Sequence, residues 1–255
     1  MPRLRHLLTL SLGVALLHLP SVQAEELPDA IRKIEAKGAK IVGQFDAPDG
    51  LRGYAAQYQG RGMALYLTPD GKHVLLGNLY DAEGNDLSSA PLQKLVYAPM
   101  AKEVWAKFET SNWIGDGKKD APRVVYLFSD PNCPYCNMFW EQARPWVKSG
   151  KVQLRHIMVG IIREDSPGKS AALLAAKDPA KALQQHEKAG KASTLKALEQ
   201  VPEAVQQKLA ANMALMEEMG LQATPAIFYQ DEQGNLQSQQ GAPRPEMLGK
   251  ILGKR

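Results

Sequence analysis

The chain has 255 residues, of which 44% are hydrophobic and 23% charged, and a formal net charge of +4. These are proportions of folded domains, which excludes wholesale disorder and a multi-span membrane protein. The only cysteines, Cys133 and Cys136, share one short motif, so neither a disulfide-stapled mini-protein nor a four-cysteine zinc site can form.

The first residues read as an export signal. Arg3 and Arg5 form a basic start, and Leu7 to Leu19 is apolar apart from Thr9, Ser11 and His18. Pro20 and Ser21 end the helical tendency, and Val22-Gln23-Ala24 has the small-residue character of a cleavage site. Residues 1–24 are therefore predicted to be a signal peptide, with an apolar run too short for a membrane span. Its removal takes Arg3 and Arg5 away. The Lys and Arg residues that remain are scattered among acids and leave no nucleic-acid footprint. Outside the cytosol, cysteine chemistry is redox chemistry.

Residues 25–86 read as a small leading domain. A short amphipathic helix spans 27–37, with Pro28 in its first turn and Gly38 at its end. Strands are expected at 40–45, 51–58, 62–67 and 73–79, separated by Pro48-Asp49-Gly50, Gln59-Gly60 and Pro69-Asp70-Gly71. A domain this small is marginal alone. Its sheet needs cover, either from a partner subunit or from the second domain of the same chain. Residues 87–118 read as a linker carrying a helix at 99–110, with Val104, Trp105 and Phe108 on its packing side. Gly115 to Pro122 is polar and reads as a hinge or exposed approach to a domain spanning 119–255.

The chemistry is concentrated where a strand meets a helix. Val124 to Phe128 is a continuous apolar run, rich in β-branched and aromatic residues, as a central buried strand requires. Ser129 to Cys136 follows, and 137–147 reads as a helix with Pro145 inside it and a kink expected there. Cys133 then lies at the helix N-terminus, where unpaired backbone N–H groups and the helix dipole stabilise a thiolate. Pro134 suits the first helical position, where its missing N–H is not needed. Cys136, three residues on, faces back at a spacing that lets a disulfide close. Cys133 is therefore the expected exposed attacking thiolate and Cys136 the more buried resolving thiol. Tyr135 between them offers a ring and a hydroxyl to a substrate. A structural disulfide here would close only a tiny loop, and no His or Cys spacing completes a metal site from Asp130 or His156. The redox reading is the one the strand–helix setting favours, with no metal and no other cofactor beyond the Cys133–Cys136 disulfide. Asp130 could cap the turn or tune the cysteines, but reads first as a solvated turn residue.

Beyond a strand at 152–159, helices at 166–176, 179–188 and 201–219 form an insertion at about 163–219. Met213, Met216 and Met219 recur at three-residue spacing and read as core. Thr224-Pro225 then opens a strand. A cis bond would leave the Thr224 backbone free to bind an extended peptide; the commoner trans bond would open an ordinary strand. A short edge strand at 236–239 and a terminal helix at 244–252 complete the chain.

The segment from Phe128 to Cys136, the later Thr224-Pro225 and the helices between them resemble the thioredoxin-like catalytic domain of bacterial periplasmic thiol:disulfide interchange proteins. Leu51-Arg52-Gly53-Tyr54 and Tyr66 to His73 extend the likeness to nearly the whole mature chain, which resembles the DsbC/DsbG family and its DsbG branch most closely. The resemblance implies an α+β fold: a thioredoxin-like catalytic domain with a helical insertion, preceded by a small dimerisation domain and a linker helix. It implies a periplasmic homodimer whose cysteine pair is kept reduced by a membrane reductase of the DsbD type. Cys133 would be the nucleophile, Cys136 the resolving thiol, and Thr224-Pro225 a cis-proline loop facing them. Clients would be exported proteins with disulfides or cysteines oxidised to sulfenic acid, and chaperone behaviour would accompany the redox activity. One departure stands out. Thioredoxins carry a buried acid six residues before the first cysteine, where this chain has Leu127.

Three functions compete: a reductase/isomerase, a net disulfide oxidase, and a client-binding chaperone with apolar side chains around Tyr135, Trp140 and Trp146. The motif alone does not set the direction of electron flow.

Overall fold

The computed structural model describes residues 26–254, so the signal peptide read at 1–24 lies outside the described residues. Helix α1 (Asp29–Glu35) leads into a meander of β1 (Lys40–Asp46), β2 (Arg52–Tyr58), β3 (Arg61–Leu67) and β4 (Val74–Leu76). These strands pair antiparallel in chain order. Alternation divides their side chains between two faces. Tyr54, Ala56, Leu65 and Leu67 pack with Ile31 of α1. Ala55, Ala64 and Tyr66 pack on the other side with Leu92 and Val96. Gly53 lies under Phe45, whose ring would stand 2.3 Å from any Cβ placed there. Within the chain, α1 packs on one face of the small sheet and the start of the linker on the other. What stays open is an edge: β4 pairs with β3 alone, and Leu75 and Leu76 on it are exposed.

The linker is a continuous helical rod of α2 (Ser89–Leu92), a π-helical turn (Gln93–Tyr97) and α3 (Ala98–Thr110). Its packing side, Val104, Trp105 and Phe108, enters the core of the second domain beside Tyr126, Phe128 and Phe228. Lys107 reaches Glu218 at 2.6 Å from the same rod.

The second domain holds β5 (Trp113–Asp116), β6 (Arg123–Ser129), α4 (Pro134–Lys148), β7 (Val152–Met158), α5 (Ser166–Ala175), α6 (Pro179–Ala189), α7 (Glu203–Glu218), β8 (Ala226–Gln230), β9 (Leu236–Gln240) and α8 (Leu248–Leu252). The sheet order is β5-β7-β6-β8-β9, with β6 and β7 parallel across α4 and the other pairs antiparallel. Central β6 is buried on both faces. Val125 and Leu127 meet Phe139, Trp140 and Trp146, while Tyr126 and Phe128 meet α3 and α7. Trp140 and Trp146 are core, not client-binding surface. Met216 is buried, with Met213 and Met219 packed around it, as their spacing indicates. One segment differs from its sequence reading. Residues 113–116, expected in the linker and hinge, are the outer strand of this sheet, paired with β7. A four-residue edge strand with a glycine has no local signature; its partner supplies the structure. Among the described residues no helix is long and apolar enough to cross a membrane.

Candidate active site

Strand β6 delivers the chain to Cys133, which is the N-cap of α4, with Pro134 as the first helical residue. The Cys136 backbone N–H donates to the Cys133 sulfur at 3.1 Å. From the other side, β8 runs beside β6 and carries the Thr224-Pro225 loop, whose peptide bond is cis. The Cys133 sulfur lies 3.4 Å from the Thr224 carbonyl oxygen, to which it donates when protonated. The Thr224 hydroxyl is buried with no other partner, so its hydrogen is free to turn to sulfur. The structure thus brings Cys133, Pro134, Tyr135, Cys136, Thr224 and Pro225 to one place.

The expectation of an exposed attacking sulfur needs correction. Cys133 is 4% exposed and Cys136 1% exposed, because the proline loop closes over the helix end. Tyr135 between them is 57% exposed, so the dithiol lies just beneath an open surface. Met138, Ile161 and Ile162 are exposed apolar side chains on α4 and the loop after β7. Both cysteines are free thiols in this structure.

The two thiols are driven apart electrostatically. The Cys136 thiol donates to the Cys133 sulfur and, with the Thr224 side chain and the Cys136 and Tyr135 N–H groups, outweighs burial to hold Cys133 down at about 6. Burial pushes Cys136 well up, and the neighbouring Cys133 charge adds to that. Near neutral pH the outer sulfur is a thiolate and the inner one a thiol, so of the two it is Cys133 that is poised as a nucleophile.

The loop bearing the motif is held by the helical insertion. Asp130, read from sequence as a solvated turn residue, is 1% exposed. Its carboxylate accepts from the N–H groups of Asn132 at 2.8 Å, Ile161 at 2.7 Å and Ile162 at 3.0 Å, and from the Ser166 hydroxyl at 2.9 Å. Asn132 donates to Asp165 and Ser166, and Lys169 donates to Asn132. On α6, His186 Nε2–H donates to the Pro131 carbonyl at 2.8 Å, which leaves Nδ1 to accept from Ser193 at 2.6 Å. Burial lowers the His186 pKa. The next residue, Glu187, is buried and accepts from Asn137 Nδ2 at 2.8 Å. Burial raises its carboxyl to about 7, opposed by Asn137 and reinforced by the Cys133 charge. None of these roles is visible locally. His186 and Glu187 sit in an Ala-, Leu- and Gln-rich helix where polar residues look solvated.

Leu127 occupies the position of the missing acid and is fully buried. Its neighbour in parallel register is His156, whose ring is fully buried with neither nitrogen bonded. Burial lowers that imidazole to about 4, so it is neutral. Among the described residues no group of three or more His, Cys, Asp or Glu side chains could hold a metal ion.

Comparison with known proteins places this geometry. Residues 115–255 match the thioredoxin-like domain model and residues 21–89 the disulfide bond isomerase protein N-terminal domain. The chain is 69% identical to thiol:disulfide interchange protein DsbG of Pseudomonas aeruginosa, covering 98% of each. It is 47% identical to thiol:disulfide interchange protein DsbG of Escherichia coli, covering 93% of this chain and 96% of that one. A periplasmic thioredoxin-like protein of Salmonella enterica serovar Typhimurium is similar in structure over 59% of this chain and 94% of its own, at 17% identity and a TM-score of 0.49. The chain belongs to the DsbC/DsbG family: it is a periplasmic thiol–disulfide oxidoreductase and isomerase, nearest to the DsbG proteins.

Proposed function

We propose that the reduced Cys133–Cys136 pair reduces and rearranges wrong disulfides in exported proteins and rescues single cysteines oxidised to sulfenic acid. The observation that carries this reading is the split between a Cys133 sulfur held near 6 and a Cys136 thiol held far above it, side by side at one helix end. The Cys133 thiolate attacks one sulfur of a client disulfide, the S–S bond breaks, and the other client sulfur leaves as thiolate. If a different client thiolate attacks the client sulfur of the mixed disulfide, a new client S–S bond forms, Cys133 is released unchanged and the client is isomerised. If Cys136 attacks after losing its proton, the client leaves reduced and the pair carries away its two electrons' worth of oxidation as a disulfide. With a sulfenic acid, Cys133 displaces hydroxide, which leaves as water on taking a proton, and Cys136 then resolves the same kind of mixed disulfide.

The oxidised pair must be reduced again, and a membrane reductase of the DsbD type is the partner this cycle calls for. The working unit is a homodimer joined through the small domain, since β4 ends its sheet with an unpaired edge and exposed Leu75 and Leu76. Thr224 and Pro225 line the client side of the dithiol, and Tyr135 meets the client.

The test is a Cys136→Ala trap expressed in cells. Mixed disulfides with lone-cysteine clients and with a membrane reductase support the reading. A pair found oxidised in wild-type cells, and unchanged when the reductase is removed, would overturn the direction of electron flow.

A further inference from the structure

A cleft of about 550 Å³ opens between α4, α6 and the loop after β5. It begins at Trp140, one helical turn beyond Cys136, and takes no part in the thiol chemistry. Four cationic side chains border it. Lys118, Lys148 and Lys188 are exposed, and none has an ion pair among the described residues. Arg144 lies deeper, with its side chain 14% exposed.

Arg144 is fixed in advance. Its guanidinium stacks over the Trp140 ring at 3.9 Å from the centroid. Nε donates to the Trp140 carbonyl at 2.8 Å, and the two terminal nitrogens each give one hydrogen to Asp116. A guanidinium has five N–H donors, so two remain for a ligand. Asp116, the acid in the cleft wall, is already occupied, since Gln184 also donates to it at 3.0 Å. Burial would raise its carboxyl, but Arg144 with Gln184 holds it below the usual range, and a charged Asp116 keeps Arg144 in place. Glu187 on α6 is bonded to Asn137.

The second observation comes from Trp140. The residue is 7% exposed, yet its indole Nε1–H has no acceptor. That nitrogen is itself sealed from solvent, so its proton senses the wall of the cleft without reaching into it. We propose that this cleft binds a small polyvalent oxyanion, one that presents several carboxylate or phosphate oxygens to Arg144 and the three lysines. Its volume falls in the range of small-molecule sites, roughly 300–1,000 Å³. The ring and Val147 give an apolar floor, and the charge is concentrated enough to favour a polyvalent anion over a single carboxylate.

The test uses the mature full-length protein and follows the indole N–H resonance of Trp140 by NMR, identified by its loss in Trp140→Phe. Citrate and inorganic phosphate are titrated separately, against sodium chloride at equal ionic strength. The expected result is a saturable shift of that resonance with at least one of the two anions and none with chloride. Stronger binding of citrate assigns a carboxylate ligand, and stronger binding of phosphate a phosphorylated one. Lys148→Ala with Lys188→Ala, both on exposed positions, should weaken binding about tenfold or more. No saturable shift, or a shift the double variant leaves intact, overturns the proposal. So does a shift produced only by an acidic peptide, which would make the cleft a protein-docking site.

Discussion

The hydrogen bond between the two thiols can be isolated by substitution. The Cys136 thiol is the leading cause of the low Cys133 pKa of about 6. Cys136→Ala removes that donor and leaves the helix end, the backbone N–H groups and the Thr224 side chain. Hydrogen bonds to charged groups contribute about 1.5–3 kcal/mol, and an S–H is a weak donor, so the loss should lie near the bottom of that range. Since about 1.4 kcal/mol corresponds to one pH unit, the midpoint of Cys133 should rise from about 6 toward ~7. The thiolate fraction at pH 6 then falls from about one half to about one tenth, and it is unchanged near pH 9. The assay is the rate of iodoacetamide alkylation of Cys133 against pH, checked by the ultraviolet absorbance of the thiolate. Cys136→Ser restores a donor and should keep the midpoint near that of the wild-type chain. A wild-type midpoint in the ordinary thiol range, about 8.5, would refute the electrostatic reasoning. So would identical midpoints in the wild type and Cys136→Ala. A Cys133 that reacts only after denaturation would refute more, because the thiolate would then be beyond any client's reach.

Three further outcomes follow from the same structure. Because the folded Cys133 pKa is depressed, its stabilisation of the reduced fold is complete above the unfolded value, about 8.5, and is lost as pH falls through about 6. Denaturant unfolding of the reduced protein should show about 1 kcal/mol of this at pH 7, after solvent screening, that Cys133→Ser lacks. Glu187 has the opposite sign: its folded pKa is raised to about 7, so ionisation costs stability that grows above the unfolded value and is complete above 7. Glu187→Gln, which can still accept from Asn137, should therefore stabilise the fold by roughly 2 kcal/mol at pH 8 and by almost nothing at pH 4, and equal gains at both would contradict the buried-carboxyl reading. Asp130→Ala strands the donors from Asn132, Ile161, Ile162 and Ser166, and should cost about 3 kcal/mol in urea unfolding together with faster proteolysis of the loop at 161–165. A cost under about 0.5 kcal/mol would mean that Asp130 is the solvated turn residue its sequence setting suggests.

The reactive junction is legible in sequence because every signal for it is local. Val124 to Phe128 reads as a buried strand, Pro134 marks a first helical turn, and Cys133 before it falls at or just before that turn, where the structure has it as the cap. The methionines of α7 are legible for the same reason, their spacing matching one helix face. Trp113–Asp116 fails this test, since the four residues acquire strand structure only from their pairing with β7. Asp130 fails it differently. An Asp-Pro-Asn sequence before a helix looks like open turn chemistry, and nothing in it says that Ile161, Ile162 and Ser166 will arrive to bury it. Exposure of Cys133 also depends on a segment far along the chain, the Thr224-Pro225 loop.

These long-range contacts explain how the site works without an acid at Leu127. The strand beneath α4 supplies only apolar surface and a neutral His156, so it favours neither thiolate. Stabilisation of Cys133 comes instead from above and alongside: N–H groups at the helix end, the Cys136 thiol, and the Thr224 side chain. Those donors are useful only while the loop from Asp130 to Asn137 keeps its shape. The insertion fixes that shape at both ends, through His186 on Pro131 and Glu187 on Asn137, with Asp130 tied to the loop after β7. Proton release from Cys136 then has no fixed acceptor on the strand. In the proposed cycle the client thiolate displaced by the first Cys133 attack is a base at hand when Cys136 attacks.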